Sequence, residues 1–408
     1  MSAPLRLAVV GAGWAGLAAA VQAQQAGHVV TLLEMAHQPG GRARSHPVSG
    51  IDNGQHILIG AYRASLQLMR TVGVRTDDVL LRLPLALRWA DGSGPQLQPG
   101  PAAWAFTRAV LRAPGWSARD RLALLTCCAC WALGGFCCQP DRSVAELCAG
   151  LPPAVRERLI DPLCVAALNT PAAEASASVF LRVLRDGLFG GRGACDLLLP
   201  RRPLSQLLPQ AGVQWLQARG ASVRLGHRVQ SITPRPGGWQ VDGQDFDAVV
   251  LASSATEAAR LMKPLASMWA ARCEALRFEP IVSVQLQARG TRLPLPMLAL
   301  REGVDHPAQF VFDHGSLGGP AGRLVFVISG AAPWVARGHD AMVAAVISQA
   351  QQELATHGFD AAQVQVLSCQ SERRATFRCT PGLHRPSAVV APGLVAAGDY
   401  VEGPYPAT

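Results

Sequence analysis

The stretch RLAVVGAGWAGLAAAVQAQQAGHVVTLLE, residues 6–34, decides the fold. Its periodicity predicts a short apolar strand, a glycine-rich turn, an alanine-rich helix to Ala26 and a second apolar strand. Gly27 stands where a C′ glycine ends a helix. A G-x-G-x-x-G pattern between a strand and a helix is the fingerprint of a dinucleotide-binding βαβ unit. The sequence therefore predicts an α/β domain of the Rossmann type.

Each residue of this fingerprint has a physical role. Gly11 makes the tight turn, Gly13 lets the backbone approach a pyrophosphate, and Gly16 lets the helix pack close to the strand. The phosphates then lie at the helix N-terminus, where free N–H groups favour negative charge. Glu34 follows Gly11 by 23 residues. Its carboxylate is placed to accept hydrogen bonds from ribose hydroxyls, and it would repel the 2′-phosphate of NADP.

A second glycine pair follows six residues after Glu34, in the sequence Gly40-Gly41-Arg42-Ala43. Two glycines allow backbone contact with an extended ligand, and an adjacent arginine can bridge its phosphates. A site for a nicotinamide dinucleotide does not need this second contact. The pair therefore favours a longer dinucleotide, FAD, over NAD.

Together the two motifs resemble the FAD-dependent amine oxidase and phytoene desaturase superfamily, in which Glu-x(5)-Gly-Gly-Arg follows the fingerprint. Further stretches are similar to hydroxysqualene dehydroxylases, also called squalene-associated FAD-dependent desaturases. They are DNGQHILIGAY at 52–62, LNTP at 168–171, LPR at 199–201, GDY at 398–400 and GPYPAT at 403–408. The matches cover nearly the whole chain. The resemblance implies an enzyme that uses FAD to reduce hydroxysqualene to squalene in hopanoid and isoprenoid biosynthesis.

The resemblance also implies two interleaved domains. A Rossmann-like FAD-binding domain of the GR2 type would comprise residues 1–80, 205–262 and 386–408. An α+β substrate-binding domain would comprise residues 81–204 and 263–385. Strands are expected at 224–232, 239–241, 247–253 and 393–399. In the family the Pro-Ala-Thr element opens a final helix at the flavin ring, and the printed sequence ends at Thr408, so this helix is expected to be missing.

The site residues implied by the resemblance fall in six segments of the chain. The expected FAD contacts are Gly11, Gly13, Trp14, Ala15, Gly16, Glu34, Gly40, Gly41, Arg42, Ala43, Gly54, Gln55, His56, Val229, Gly398 and Asp399. The backbone near Val229 is expected to contact the adenine. Asp399 is expected to contact the ribityl–phosphate portion.

The expected chemistry is transfer of a hydride from N5 of reduced flavin to an allylic carbon, while a general acid assists loss of the hydroxyl as water. His56 is the first candidate for the acid, because an unperturbed imidazole titrates near neutrality. Tyr405 is the second catalytic candidate, since it lies near the expected flavin edge. No metal is expected: the cysteines between Cys127 and Cys138 lack the spacing and the histidines of a zinc site.

The amino-acid composition limits the classes of partner that are expected for this chain. The chain has 408 residues, 49% hydrophobic and 16% charged, and a net charge of +9 that comes from arginine, because Lys263 is the sole lysine. No basic stripe is interleaved with aromatic residues, which excludes nucleic acid as the expected partner. A long-chain isoprenoid, hydroxysqualene, is the expected substrate, and the sequence does not identify the electron donor. The expected localisation is cytoplasmic, with a peripheral contact at the inner face of the membrane.

The uncharged run at residues 122–138 is 17 residues long, at the lower edge of a spanning helix. Its Gly-Gly pair and flanking arginines predict a core or membrane-surface helix instead.

Two functional alternatives stay open. One is a carotenoid or phytoene desaturase, or an amine oxidase, working in the oxidative direction. The other is a non-catalytic nucleotide-binding partner of pathway enzymes, which the absent final helix would favour.

Overall fold

The computed structural model describes residues 3–98 and 100–403, apart from the side chain of Ala102. Residues 404–408, which include Tyr405, lie outside the described residues. In chain order the strands are β1 Arg6–Val10, β2 Val29–Glu34, β3 Leu58–Ile59, β4 Leu80–Leu83, β5 Leu197–Pro200, β6 Ser222–Leu225, β7 Ile232–Arg235, β8 Gly238–Val241, β9 Gln244–Phe246, β10 Ala248–Leu251, β11 Phe278–Ala288, β12 Met297–Ala299, β13 Phe310–Asp313, β14 Arg323–Ile328, β15 Val364–Phe377, β16 Val389–Ala391 and β17 Leu394–Ala396.

The helices are interspersed with these strands. In chain order they are α1 Trp14–Gln25, α2 Arg63–Thr71, α3 Thr76–Val79, α4 Ala102–Arg112, α5 Ala118–Leu133, α6 Val144–Leu147, α7 Pro153–Val155, α8 Asp161–Leu168, α9 Ala177–Leu188, α10 Leu204–Leu207, α11 Pro209–Gln217, α12 Ala255–Met262, α13 Ser267–Glu274, α14 Ala332–Arg337 and α15 His339–Leu354. A π-helical turn, Arg156–Ile160, joins α7 to α8.

A six-stranded sheet carries the N-terminal motif, in the order β16-β17-β10-β1-β2-β6. All neighbours pair in parallel except β16, which runs antiparallel at the edge. Its central strands are apolar on both faces, as expected where both faces are covered. Apolar core clusters lie on its two sides, and one of them includes Leu17 and Val21 of α1. The predicted βαβ unit is therefore present, and the carboxyl ends of β1 and β2 meet at one edge.

A second, antiparallel sheet has the order β12-β13-β14-β11-β15. One face belongs to a core cluster that includes Val284, Phe326 and Val346 of α15. The other face contributes Phe310, Phe312 and Val327 to the large cluster formed with helices between residues 102 and 188. This sheet and these helices form the part of the molecule that the sequence assigns to the substrate.

The structure also contains two three-stranded sheets. The meander β7-β8-β9 leads from β6 back to β10, and β3-β5-β4 links residues 58–83 to residues 197–200. The FAD-binding and substrate domain ranges remain a prediction. Trp269 and Cys273 of α13 pack in the core cluster of β10 and β17, beyond the boundary expected at residue 262. The strand expected at 224–232 is also divided, because residues 226–231 leave the sheet between β6 and β7.

Candidate functional site

The N-terminus of α1 forms an anion cradle. Gly13 is the N-cap residue, no side chain caps the helix, and its first turn contains no acidic residue. A Cβ placed on Gly13 would meet nothing within 4 Å, whereas one on Gly16 would collide with the carbonyl oxygen of Gly11. Gly11 has a φ of +108°, and a Cβ there would lie 2.5 Å from the carbonyl oxygen of Ala252. The geometry thus has the three features that the glycine pattern predicts: a tight turn, close helix packing and open approach to N–H groups at Trp14–Gly16.

The second glycine pair lies directly against this cradle. The N–H of Gly40 donates to the carbonyl of Ala12 at 2.9 Å. A Cβ on Gly41 would lie 3.3 Å from Cα of Gly13. Gly40 and Gly41 both have positive φ values, +118° and +58°, which glycine adopts at no steric cost. The structure therefore places residues 40–43 and 11–16 at one location.

Glu34 ends β2 beside the cradle. Its Oε2 accepts from the N–H of Ala12 at 2.7 Å, and its Oε1 accepts from the N–H of Ala36 at 2.8 Å. The carboxylate is buried, so these bonds fix its orientation. A carboxylate has about four lone-pair positions, which leaves acceptor capacity for the ribose hydroxyls that the sequence predicts.

The Gly398-Asp399 pair, near the C-terminus, contacts the second glycine turn through Arg42. Arg42 forms an ion pair with Asp399, with 2.7 Å between Nη2 and Oδ1, and its Nη1 donates to the carbonyl of Ala375 on β15 at 2.7 Å. Asp399 holds the pKa of Arg42 above its usual value, although burial acts in the opposite direction. Gly398 lies against Tyr400, because a Cβ on Gly398 would be 2.9 Å from the tyrosine ring.

The loop at residues 54–56 connects the cradle to the antiparallel sheet. The N–H of Gln55 donates to Oγ of Ser283 on β11 at 3.3 Å, and Nε2 of His314 lies 2.9 Å from Oε1 of Gln55. His56 Nδ1 lies 3.1 Å from the carbonyl oxygen of Gly54. Since a carbonyl only accepts, Nδ1 carries the hydrogen. Burial lowers the pKa of His56, and the charge of Arg42 lowers it further.

Val229 lies in the segment that follows β6. This segment is held to the end of β2, because the N–H of His227 donates to the carbonyl of Glu34 at 2.8 Å. Val229 is buried, and its carbonyl oxygen accepts from Nη2 of Arg260 at 2.5 Å. Of the expected site residues, Tyr405 lies outside the described residues. Residues 11–16, Glu34, residues 40–42 and Asp399 are joined by contacts beside the carboxyl ends of β1 and β2. The roles expected of all these residues remain predictions.

Sequence reasoning missed Ser283 and His314, which hold the 54–56 loop. A signal for Ser283 was available in VSVQLQ at residues 282–287, where polar residues alternate with apolar ones at the period of a strand. No local sequence pattern indicates a role for His314, because its partner Gln55 lies 259 residues away in the chain. Burial lowers the pKa of His314 to about 4, so its imidazole is neutral at pH 7 and its ring N–H can donate to the amide oxygen.

The cysteines are all free thiols. Burial raises the pKa of Cys127 to about 11 and that of Cys128 to about 12, which keeps both as unreactive thiols at neutral pH. Within residues 3–98 and 100–403, no three His, Cys, Asp or Glu side chains are grouped so that they could hold a metal ion. In the same part of the chain, no helix is both long and apolar enough to cross a membrane.

The chain is similar to known proteins over nearly its whole length. Residues 14–408 match the family model described as flavin containing amine oxidoreductase. The hydroxysqualene dehydroxylase of Rhodopseudomonas palustris is 31% identical over 98% of this chain and 94% of its own length. That of Sinorhizobium fredii is 28% identical over 99% of this chain and 95% of its own. A solved oxidoreductase from Methanosarcina mazei shares the fold, with a TM-score of 0.70, 17% identity, and coverage of 98% of this chain and 96% of its own.

The Rossmann-type sheet, the uncapped N-terminus of α1 and the match to the family model together show a flavin-dependent oxidoreductase. The uncapped donors and the open space before Gly13 fit the diphosphate of FAD, which is the cofactor of this enzyme class. The chain belongs to the flavin-containing amine oxidoreductase family and, within it, to the hydroxysqualene dehydroxylases.

Proposed function

We propose that this flavoenzyme converts hydroxysqualene to squalene, a step that supplies hopanoid and other isoprenoid synthesis. The observation that carries the proposal is the match to hydroxysqualene dehydroxylases over nearly the full length of the chain. FAD, held at the N-terminus of α1 and beside Glu34, would supply in its reduced form the hydride that replaces the hydroxyl, and one proton is needed to release that hydroxyl as water. The chain must therefore bind an apolar substrate, exclude water and deliver one proton.

A direct test uses the purified, FAD-loaded chain under anaerobic conditions with dithionite as the reductant. Hydroxysqualene should be converted to squalene, detected by mass spectrometry, with one flavin reoxidised for each product formed. Parallel reactions under air contain phytoene or a primary amine. Oxidation of either of those, without squalene formation from hydroxysqualene, would replace the proposal by a desaturase or an amine oxidase.

His56 is proposed as the group that manages the proton. Its Nδ1–H is held by the carbonyl of Gly54, which leaves Nε2 to exchange a proton. Because burial and Arg42 lower its pKa, the imidazole becomes an acid only below neutral pH. An acid role therefore predicts a rate that is highest at low pH and falls as the pH rises through this lowered pKa.

Replacing His56 with glutamine tests that role. We expect His56→Gln to lose about 100-fold in kcat, in the range of general acid catalysis, and to lose the pH-dependent fall of the rate. Flavin absorbance per protein is the control, and it should stay at the wild-type value. Unchanged turnover at normal flavin content would remove His56 from the chemistry.

The chain is further proposed to take its substrate at the cytoplasmic face of an anionic membrane. Four large apolar side chains are exposed on α4 and α5: Trp104 is 65% exposed, Leu111 51%, Leu122 67% and Leu133 90%. Arg108, Arg112 and Arg119 are exposed on the same two helices. Exposed Trp and Leu beside arginine are typical of helices that lie on membranes with acidic headgroups.

Vesicle flotation at low salt tests this contact. The wild-type chain should float with vesicles that contain phosphatidylglycerol and less with pure phosphatidylcholine. Leu122→Glu/Leu133→Glu should stay in solution. The matched control is Met268→Glu, which alters a side chain 85% exposed on α13 and should float normally. A wild-type chain that stays wholly in solution would contradict the proposal.

A further inference from the structure

One face of the antiparallel sheet carries a polar strip made of Ser283, Gln285, Ser368 and Gln370. Ser283 pairs with Gln370 and Gln285 pairs with Ser368 across β11 and β15. Directly paired residues of antiparallel strands point to the same face. Ser283 is 2% exposed and Gln285 is 4% exposed. The strip is therefore a group of four neutral hydrogen-bonding side chains, of which Ser283 and Gln285 are buried and Ser368 and Gln370 are partly buried.

Two atoms of the strip lack a partner. Oγ of Ser368 and Oε1 of Gln370 are buried and accept or donate no hydrogen bond within the described residues. Buried polar groups are nearly always hydrogen-bonded, because burial without a partner costs free energy. Such atoms, side by side on one face, are available for a ligand.

The strip adjoins the flavin end of the site. Oγ of Ser283 accepts from the N–H of Gln55, in the loop that also carries His56. A Cβ on Gly54 would lie 3.9 Å from the same Oγ. A ligand group bound to the strip would therefore lie next to the loop expected to contact the flavin.

Away from this loop the same face becomes apolar. Val325 and Val327 of β14 pair with Gln285 and Ser283, and Phe312 and Phe310 of β13 follow on the next strand. All four belong to the core cluster formed with the helices of residues 102–188. The polar strip is thus continuous with apolar side chains on the same face of the sheet.

We propose that the polar strip binds the hydroxyl group of the isoprenoid substrate and makes the enzyme prefer a long-chain alcohol over the corresponding hydrocarbon. This inference rests on the proposed function and adds the part of the site that selects the substrate. Serine hydroxyls and glutamine amides both donate and accept, as an alcohol requires. The four side chains are uncharged, which suits a neutral alcohol and gives a cationic amine no counterion.

The test compares binding of hydroxysqualene and squalene to the oxidised, FAD-loaded enzyme, measured in detergent micelles by the change in flavin absorbance. The variant is Ser368→Ala/Gln370→Leu, which removes the two unpartnered groups and breaks no hydrogen bond of the free protein. We expect the ratio of the two dissociation constants, Kd of squalene over Kd of hydroxysqualene, to fall about tenfold. In this variant, neither the affinity for squalene nor the midpoint temperature of thermal unfolding should fall.

Ser371→Ala is the matched control. Oγ of Ser371 is also buried without a partner, yet Ser371 pairs with Val282 and so lies on the opposite face of the same strand. It should leave the ratio unchanged. A ratio that the double variant leaves at the wild-type value, or that both variants lower equally, would overturn the inference. If wild-type enzyme forms squalene while this happens, the proposed function stands and only the assignment of the strip fails.

Discussion

Replacing Gly13 with alanine is expected to remove most of the bound flavin and leave the fold intact. The backbone of Gly13 is extended, with φ −69° and ψ 178°, so alanine adopts it without strain. Its Cβ would touch nothing within 4 Å and would project into the space before the first N–H groups of α1. Phosphates displaced from those donors lose charge-assisted hydrogen bonds, each worth about 1.5–3 kcal/mol. We therefore expect flavin affinity to fall at least about tenfold.

The measurement is the ratio of flavin to protein absorbance after purification, followed by titration of the stripped protein with FAD. Gly150→Ala is the control, because a Cβ there also meets nothing within 4 Å and Gly150 is exposed far along the chain from the motif. The two apoproteins should unfold at similar temperatures. Full flavin content in Gly13→Ala would show that the diphosphate does not lie over this residue.

The part of this site that can be predicted from the sequence is formed by residues that lie close together in the chain. The strand–turn–helix–strand order of residues 6–34 depends on local periodicity and on glycines that must lack a side chain. Gly16 illustrates this, since its packing against Gly11 spans only five residues. The position of Glu34 follows from the same unit, because β1 and β2 are paired in register and end together.

Contacts between distant segments could not be predicted in this way. Arg42 meets Asp399 across 357 residues, and Gln55 meets Ser283 across 228. Periodicity shows that β11 has a polar face, but only the folded structure shows that this face contacts the loop at residues 54–56. The strand expected at 224–232 was wrong in extent for a related reason: Gly226, with φ +72°, turns the chain so that residues 226 and 227 bond to the end of β2.

Replacing Arg378 with methionine is expected to cause the largest loss of stability. Arg378 pairs with Glu279, with 2.6 Å between Nη2 and Oε2, and the Glu279 side chain is 2% exposed. The other carboxylate oxygen accepts from the N–H of Ala332 at 3.0 Å. Removing the guanidinium leaves a buried carboxylate without its counterion, which typically costs about 3–5 kcal/mol.

Urea unfolding of the Arg378→Met variant measures this loss as a shift of the midpoint at constant slope. Arg75→Met is the control, because the Arg75–Asp78 pair is 83% and 55% exposed and such pairs contribute about 1 kcal/mol or less. Adding Glu279→Gln to Arg378→Met removes the unpaired charge and should recover part of the loss. If Arg378→Met is no more destabilising than Arg75→Met, the buried pair does not hold β11 to β15. If the full loss appears, the pair stabilises the two strands that carry the polar strip.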